Sequence, residues 1–362
     1  MAPIFSANGL PLLIGSLPLR NHSEGVKLVF EYTPEIPLWV QLPAFREEGM
    51  IAQFQPGFPG LTIKPEKSFI DTSSPAFDED ILGFYEDFMA VSEKATDIND
   101  SRFAMDRNVA GGFFALAEHL RSLSGRLNAV KGQITGPVTF GLGLCDQNGK
   151  AVFYDDQLRD VVIKLLALKA EWQVKMLSEF GSKIILFLDE PALAGFGSSA
   201  MISISREEVA ACFDEIIEPV HHHGGLAGIH ICANADWSLI LESKADIISF
   251  DAYSFFDKLM LYPDQVKRFF KSGKILAWGI VPTLNSDDIE KETVESLVAR
   301  WETQSAALEA LGFERSAILA QTFITPACGA GSLTIDLAHK VLALTRQVSD
   351  TLREKYGFVT SN

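Results

Sequence analysis

The chain has 362 residues, of which 47% are hydrophobic and 22% are charged, and its formal net charge is −16. These values are typical of a globular protein and exclude a disordered or collagen-like chain. The acidic charge repels nucleic-acid phosphates and anionic membranes, and no apolar run reaches the roughly 18 residues that span a bilayer, so we expect neither partner. No basic residue precedes Arg20 and only four cysteines occur. We therefore expect a cytoplasmic protein without a signal peptide or a disulfide framework.

Short apolar runs alternate with longer helical segments along the chain. Eight runs predict strands, at 12–16, 38–42, 129–134, 183–189, 226–232, 246–251, 274–279 and 317–321. Helices are predicted near 79–95, 111–124, 155–180, 206–223 and 334–355.

This alternation predicts an α/β fold, namely a single (β/α)8 TIM barrel over residues 1–362, with a long insertion or cap region at 43–128 after strand 2. Continuous apolar strands fit a parallel sheet that is buried on both faces. A doubly wound open sheet is the main alternative. That fold usually carries a glycine-rich phosphate loop after its first strand, and residues 14–18 lack one.

Polar side chains collect at the ends of the predicted strands, where such a barrel builds its active site. The set comprises Ser16, Gln41, Gln133, Asp189, His230, Cys232, Asp251, Trp278 and, in the loop after strand eight, Cys328. We expect Ser16 and Gln133 to bind a small polar substrate, with local turn hydrogen bonds as the alternative. Asp189 is expected to hold a substrate ammonium or act as a base, with a role at a helix N-terminus as the alternative.

The sharpest signal is His230-Ile231-Cys232, because residues two apart in a strand point to the same side. Together with Cys328 and Asp251, this pair forms a donor set typical of zinc. The alternative for the pair is a packed histidine beside an ordinary buried cysteine. Asp251 can instead hold a helix or hydrogen bond a ligand histidine. Zinc held by two thiolates suits the activation of a substrate thiol, which then attacks a methyl group.

The motifs at 14–16, 135–139, 189–193, 230–232, 245–251 and 326–329 give the chain a family resemblance. It resembles the C-terminal catalytic barrel of cobalamin-independent methionine synthase, in the superfamily that also holds uroporphyrinogen decarboxylases and methylcobamide:coenzyme M methyltransferases. The resemblance implies a (β/α)8 barrel with catalytic zinc for methyl transfer to a thiol in methionine biosynthesis. It implies that zinc is bound by His230, Cys232 and Cys328. Asp251 falls where the synthases carry a glutamate ligand, and Asp189 and Ser16 fall on positions that bind homocysteine.

Several positions depart from the family pattern. Asp251 is shorter than the glutamate that binds zinc in the family. The family's homocysteine-binding glutamate aligns near Ala44, which has no carboxylate. The proposed acid histidine is absent from 279–283, and the duplicated N-terminal barrel, which helps to bind folate, is missing. We therefore expect a zinc methyltransferase that moves a methyl group to homocysteine or a related thiol from a methylcorrinoid carried on a partner protein. The alternatives are a uroporphyrinogen decarboxylase-like enzyme acting on a tetrapyrrole and a non-catalytic, zinc-containing partner of a corrinoid protein.

Overall fold

A computed structural model describes residues 4–123, 125, 127–198 and 201–359. In this part of the chain the fold is mixed α/β. The strands are β1 (Leu61–Ile63), β2 (Ser68–Ile70), β3 (Ala129–Thr135), β4 (Lys183–Asp189), β5 (Leu226–Ile231), β6 (Ile247–Phe250), β7 (Ile275–Val281) and β8 (Thr322–Pro326). The helices are α1 (His22–Tyr32), α2 (Phe77–Ser92), α3 (Gly111–Ser122), α4 (Pro137–Gly143), α5 (Asp156–Ser178), α6 (Arg206–His222), α7 (Trp237–Leu241), α8 (Ala252–Leu259), α9 (Pro263–Lys271), α10 (Ser286–Lys291), α11 (Val294–Glu309), α12 (Arg315–Ala320) and α13 (Ile335–Lys355).

Strands β3 to β8 form one parallel sheet in chain order, and β1 pairs antiparallel with β2 in a separate hairpin. In the parallel sheet Asp189 lies opposite His230, which in turn lies opposite Ser249. Helices connect the strands, as the short apolar runs and longer helical segments predict. The carboxyl ends of all six strands therefore meet at one edge.

The first two predicted strands, 12–16 and 38–42, are extended segments held by single parallel bridges instead of full strands. The first segment bonds to β8 through the amide of Leu12 and the carbonyl of Ile324, 3.0 Å apart. Its other end bonds to the second segment, where the amide of Gln41 donates to Gly15 over 3.1 Å. The second segment reaches β3, because Lys131 donates its amide to the carbonyl of Pro37 over 2.9 Å.

The eighth predicted strand, 317–321, is wrong. Residues 317–320 belong to α12, and the strand follows at β8. The physical reason is local preference, because three of the four residues at 317–320 are the helix formers alanine and leucine, whereas a run rich in β-branched and aromatic residues begins at Thr322.

Two apolar clusters cover the two faces of the sheet. Because side chains alternate along a strand, Ile185 and Phe187 of β4 enter the cluster on the inner face, while Ile184 and Leu186 pack toward the helices. The same inner cluster takes Leu12 from the first bridged segment. Among the described residues, no helix combines the length and the apolar character needed to cross a membrane.

Within the predicted insertion at 43–128, helix α3 packs on α1 and on the second bridged segment. Gly112 makes this approach possible, since a Cβ there would lie 1.8 Å from the carbonyl oxygen of Val40. The rest of the insertion contains short helical turns, the β1–β2 hairpin and α2.

Candidate metal centre

The inner face of the sheet changes from apolar to polar toward the carboxyl edge. In β4 the series that starts with Ile185 and Phe187 continues to Asp189, and in β5 the series from Leu226 continues to His230. In β6 the same face carries Ile247 and then Ser249. Strand alternation thus brings a carboxylate, an imidazole and a hydroxyl side by side on neighbouring strands.

Three side chains at this edge form a group that is able to hold a metal ion. The ligand atoms of His230, Cys232 and Cys328 all lie within 4.8 Å of one another. His230 is the penultimate residue of β5, Cys232 directly follows that strand, and Cys328 comes from the loop after β8. This loop packs closely on the first bridged segment, because a Cβ at Gly329 would lie 2.1 Å from the hydroxyl oxygen of Ser16.

The imidazole of His230 is oriented for coordination. Its Nδ1 lies 2.9 Å from the hydroxyl oxygen of Ser249, whereas its Nε2 is buried and has no hydrogen-bond partner. A buried polar atom without a partner costs about 1–3 kcal/mol, and a cation on Nε2 would remove that cost. The donor set therefore fits a soft or borderline ion such as zinc.

The two thiols share one hydrogen bond, and this separates their pKa values. The hydrogen bond from Cys328, supported by His230, lowers the pKa of Cys232 although burial opposes the shift. The same hydrogen bond and burial raise the pKa of Cys328 above its ordinary value. One sulfur is thus a ready thiolate, and a metal ion would take the place of the shared proton.

A cavity of about 290 Å³ opens directly on this group. Six of the nine residues in the predicted polar set line it: Ser16, Gln41, Asp189, His230, Cys232 and Cys328. The remaining lining residues are Ile14, Pro43, Glu48, Gly49, Met50, Pro191 and Gly329. Its size suits a small molecule of roughly amino-acid dimensions.

Asp189 stands in the cavity wall with an unused acceptor. The carboxylate is 8% exposed, and its Oδ1 has no hydrogen-bond partner. Burial raises the pKa of Asp189 to about 6, while the electrostatic influence of His230 and Lys131 acts in the opposite direction. The carboxylate is therefore placed to accept a hydrogen bond from a ligand inside the cavity.

Asp251 lies next to this group but is not one of the three residues within mutual ligand distance. It caps α8, since its Oδ1 accepts a hydrogen bond of 2.8 Å from the amide of Ser254. Its Oδ2 is buried without a partner, and burial raises the pKa of the carboxyl group. The helix-holding alternative is observed, and coordination by Asp251 stays a prediction.

Of the two predicted substrate-binding residues, Ser16 lines the cavity and Gln133 does not. Ser16 lines the cavity, and its hydroxyl oxygen accepts a hydrogen bond of 3.2 Å from the amide of Gly331. Gln133 is fully buried and does not line the cavity. Its amide nitrogen donates to the carbonyl of Trp39 over 2.9 Å, and its oxygen accepts from Lys131 over 3.2 Å. Both polar ends of Gln133 are thus already satisfied by the protein.

Trp278 does not belong to the site, and its inclusion among the polar strand ends is wrong. Its neighbour Ala277 faces the inner cluster, so alternation turns Trp278 toward the helices. There the indole stacks on Phe256 at 5.2 Å between ring centroids and donates to Gln304 over 2.7 Å.

The insertion also brings Glu48 and Met50 to the cavity wall, and neither is among the residues that the sequence predicts for the site. Glu48 is 3% exposed, pairs with His22, and accepts a hydrogen bond of 2.8 Å from the amide of Leu42. Thr135, the last residue of β3, holds Met50 in place, since its hydroxyl donates to the Met50 carbonyl over 2.6 Å. No periodic signal marks these residues, because the adjacent charges at 46–48 are typical of a solvated turn.

No family model matches the chain, and no curated protein matches it significantly. The resemblance to cobalamin-independent methionine synthase therefore stays a prediction, and the functional argument depends on the geometry above.

Proposed function

We propose that the protein is a zinc-dependent methyltransferase that moves a methyl group to a small thiol, homocysteine or a related compound. One observation carries the proposal: an imidazole and two thiols within 4.8 Å of one another adjoin an amino-acid-sized cavity. Three protein ligands leave a fourth position for a substrate, whereas structural zinc sites are usually closed by four. This difference favours an enzyme over a non-catalytic zinc protein.

The residues that would hold zinc are His230, Cys232 and Cys328, with Asp251 as a replaceable fourth ligand. The chemistry that zinc supplies in such a site is a lowered pKa of the substrate thiol, whose sulfur then reacts as a thiolate. Asp189 accepts a hydrogen bond from the ammonium of the acceptor and fixes its orientation. The cavity wall at Pro43 and Met50 shields the reacting sulfur from water.

The charges of the cavity favour this acceptor over a tetrapyrrole. Glu48 and Asp189 are its carboxylates, and among the described lining residues there is no lysine or arginine. A decarboxylase that binds several substrate carboxylates needs such cations. A molecule with an ammonium group matches this cavity better, because the carboxylates attract it.

We further propose that the sheet closes into a (β/α)8 barrel. The parallel bridges support closure, because the first bridged segment joins β8 and the second joins β3. Helix α3 then takes the position of the second barrel helix, and the insertion shortens to the stretch before it. A methylcorrinoid carried on a partner protein stays our proposal for the methyl donor.

Metal content provides the first test, measured on protein purified without chelator. We expect about one zinc per chain in the wild type and little in Cys328→Ser, since two ligands hold zinc poorly. Cys145→Ser is the matched control, because Cys145 is half-buried and outside the ligand group. Wild-type protein that stays free of metal after zinc is added back contradicts the proposal.

Methyl transfer is then assayed with methylcobalamin and with methylfolate against a panel of thiols. Transfer from methylcobalamin to homocysteine supports the full proposal. Use of methylfolate, or of an acceptor without an ammonium group, contradicts the part that concerns the donor or the acceptor.

A further inference from the structure

A histidine binds a metal through one ring nitrogen only when that nitrogen carries a free lone pair, so the proton must reside on the other nitrogen. In His230 the two nitrogens have different surroundings. Nδ1 has a hydroxyl partner at 2.9 Å, whereas the buried Nε2 has no partner. This difference in hydrogen bonding can favour one tautomer of the neutral imidazole over the other.

That hydroxyl belongs to Ser249, which lies opposite His230 in the pairing of β5 with β6. Ser249 is 1% exposed and His230 is 3% exposed, so water does not compete for the contact. Both residues are carried by fully buried strands, which hold their side chains more rigidly than loops do.

We propose that Ser249 is a positioning residue whose hydroxyl oxygen accepts the Nδ1–H hydrogen bond of His230 and so selects Nε2 as the metal-binding atom. The inference rests on the proposed function, because it needs a metal on His230. A neutral acceptor also suits this site better than a carboxylate. Asp189 already supplies negative charge, and so would the two cysteines when they bind a metal as thiolates.

The test uses the full-length chain and compares zinc affinities by competition with a chromophoric chelator. We expect Ser249→Ala to bind zinc roughly 10–100-fold more weakly than the wild type, the range found when such a partner is removed. Ser249→Thr keeps a hydroxyl and restores the affinity. Thr325→Val is the matched control, because it deletes a buried strand hydroxyl that has no partner. Equal affinities of Ser249→Ala and the wild type overturn the inference.

Nitrogen-15 NMR of the histidine rings in zinc-loaded wild-type protein provides a second readout that needs no variant. We expect a protonated Nδ1 and a zinc-bound Nε2 in His230, and zinc on Nδ1 overturns the inference even if Ser249→Ala does not fold. A wild type that binds no zinc refutes the proposed function itself. Zinc bound by the wild type with no effect of Ser249→Ala refutes only the role of Ser249.

Discussion

Three buried polar atoms at the site lack partners: Oδ1 of Asp189, Nε2 of His230 and Oδ2 of Asp251. Each unpaired atom costs about 1–3 kcal/mol in the folded protein. A metal ion on His230 and an ammonium group on Asp189 would supply the missing partners. The stability given up by the folded chain would thus be recovered as binding free energy for such ligands.

We expect Asp189→Asn to weaken the binding of the acceptor thiol. The amide removes one charge at nearly constant shape, and a hydrogen bond to a charged group contributes about 1.5–3 kcal/mol. We therefore expect kcat/KM for an ammonium-bearing thiol to fall roughly 10–100-fold. Zinc content is the control and stays at the wild-type level. Equal loss for a thiol without an ammonium group contradicts the assigned role.

The sequence predicts the positions of candidate site residues correctly where they depend on strand alternation. His230 and Cys232 reach the same side of the sheet because they are two residues apart where β5 ends. Trp278 lies near the end of a strand, which favours a site residue, but its position on the outer face of the sheet excludes it. A shift of one residue along a strand reverses the face. Glu48 could not be found from the sequence, since a turn of the insertion brings it to the cavity and local patterns do not encode that contact.

At the scale of elements, the contact between α3 and the second bridged segment leaves no room for a side chain. We expect Gly112→Ala to lower the free energy of unfolding by about 3 kcal/mol or more, because the added Cβ would lie 1.8 Å from the Val40 carbonyl oxygen. Gly83→Ala in α2 is the matched control, since the nearest atom to its Cβ is 3.8 Å away. The control is expected to gain about 0.5–1 kcal/mol from better helix propensity. Urea denaturation measures both, and equal stability of the two variants contradicts the packing argument.

Helix α5 buries an amine that has no hydrogen-bond partner. Lys169 is fully buried, and burial lowers its pKa to about 7 although Asp106 opposes the shift. Because the unfolded chain binds this proton more tightly, the free energy of unfolding rises with pH from about 7 toward 10.5, and the cost of the charged amine is complete below pH 7. We expect Lys169→Met to be more stable than the wild type by about 2–4 kcal/mol at pH 6.

That difference should shrink as the pH approaches 10, which urea midpoints at pH 6, 8 and 10 would show. The control is Lys164→Met in the same helix. Lys164 pairs with Asp160 and Glu215, so its removal brings no gain. A constant advantage of Lys169→Met across this pH range contradicts titration as its cause.

Most elements followed from pattern, and the exceptions have physical reasons. Continuous apolar runs flanked by helical segments predicted β3 to β7 and the helices α5, α6 and α13. The eighth strand is predicted several residues too early, because α12, which precedes β8, is equally apolar but consists mainly of helix-forming residues. The segments 12–16 and 38–42 have strand-like composition, yet each forms only isolated bridges, because register between distant segments is set by tertiary packing.

At the scale of the whole molecule, the candidate ligands tie together parts of the chain that are far apart in sequence. A metal that binds only the folded state stabilises it, by about 2.7 kcal/mol when its free concentration is 100 times the dissociation constant. We expect zinc to raise the melting temperature of the wild type and a chelator to reverse the rise. Cys212→Ser should respond as the wild type does, because Cys212 is buried in α6 outside the group. An equal rise in Cys328→Ser contradicts binding at this site.

The hydrogen bond between Ser16 and Gly331 closes a separation of 315 residues, and it lies beside Cys328. Contacts this distant in sequence are slow to form, since the chain must lose much loop entropy before they are made. During synthesis the first ligands, His230 and Cys232, leave the ribosome about a hundred residues before Cys328, at roughly 5–20 residues per second. For several seconds the nascent chain therefore carries an incomplete candidate ligand set, and full-strength metal capture by this group would be one of the last events in its maturation.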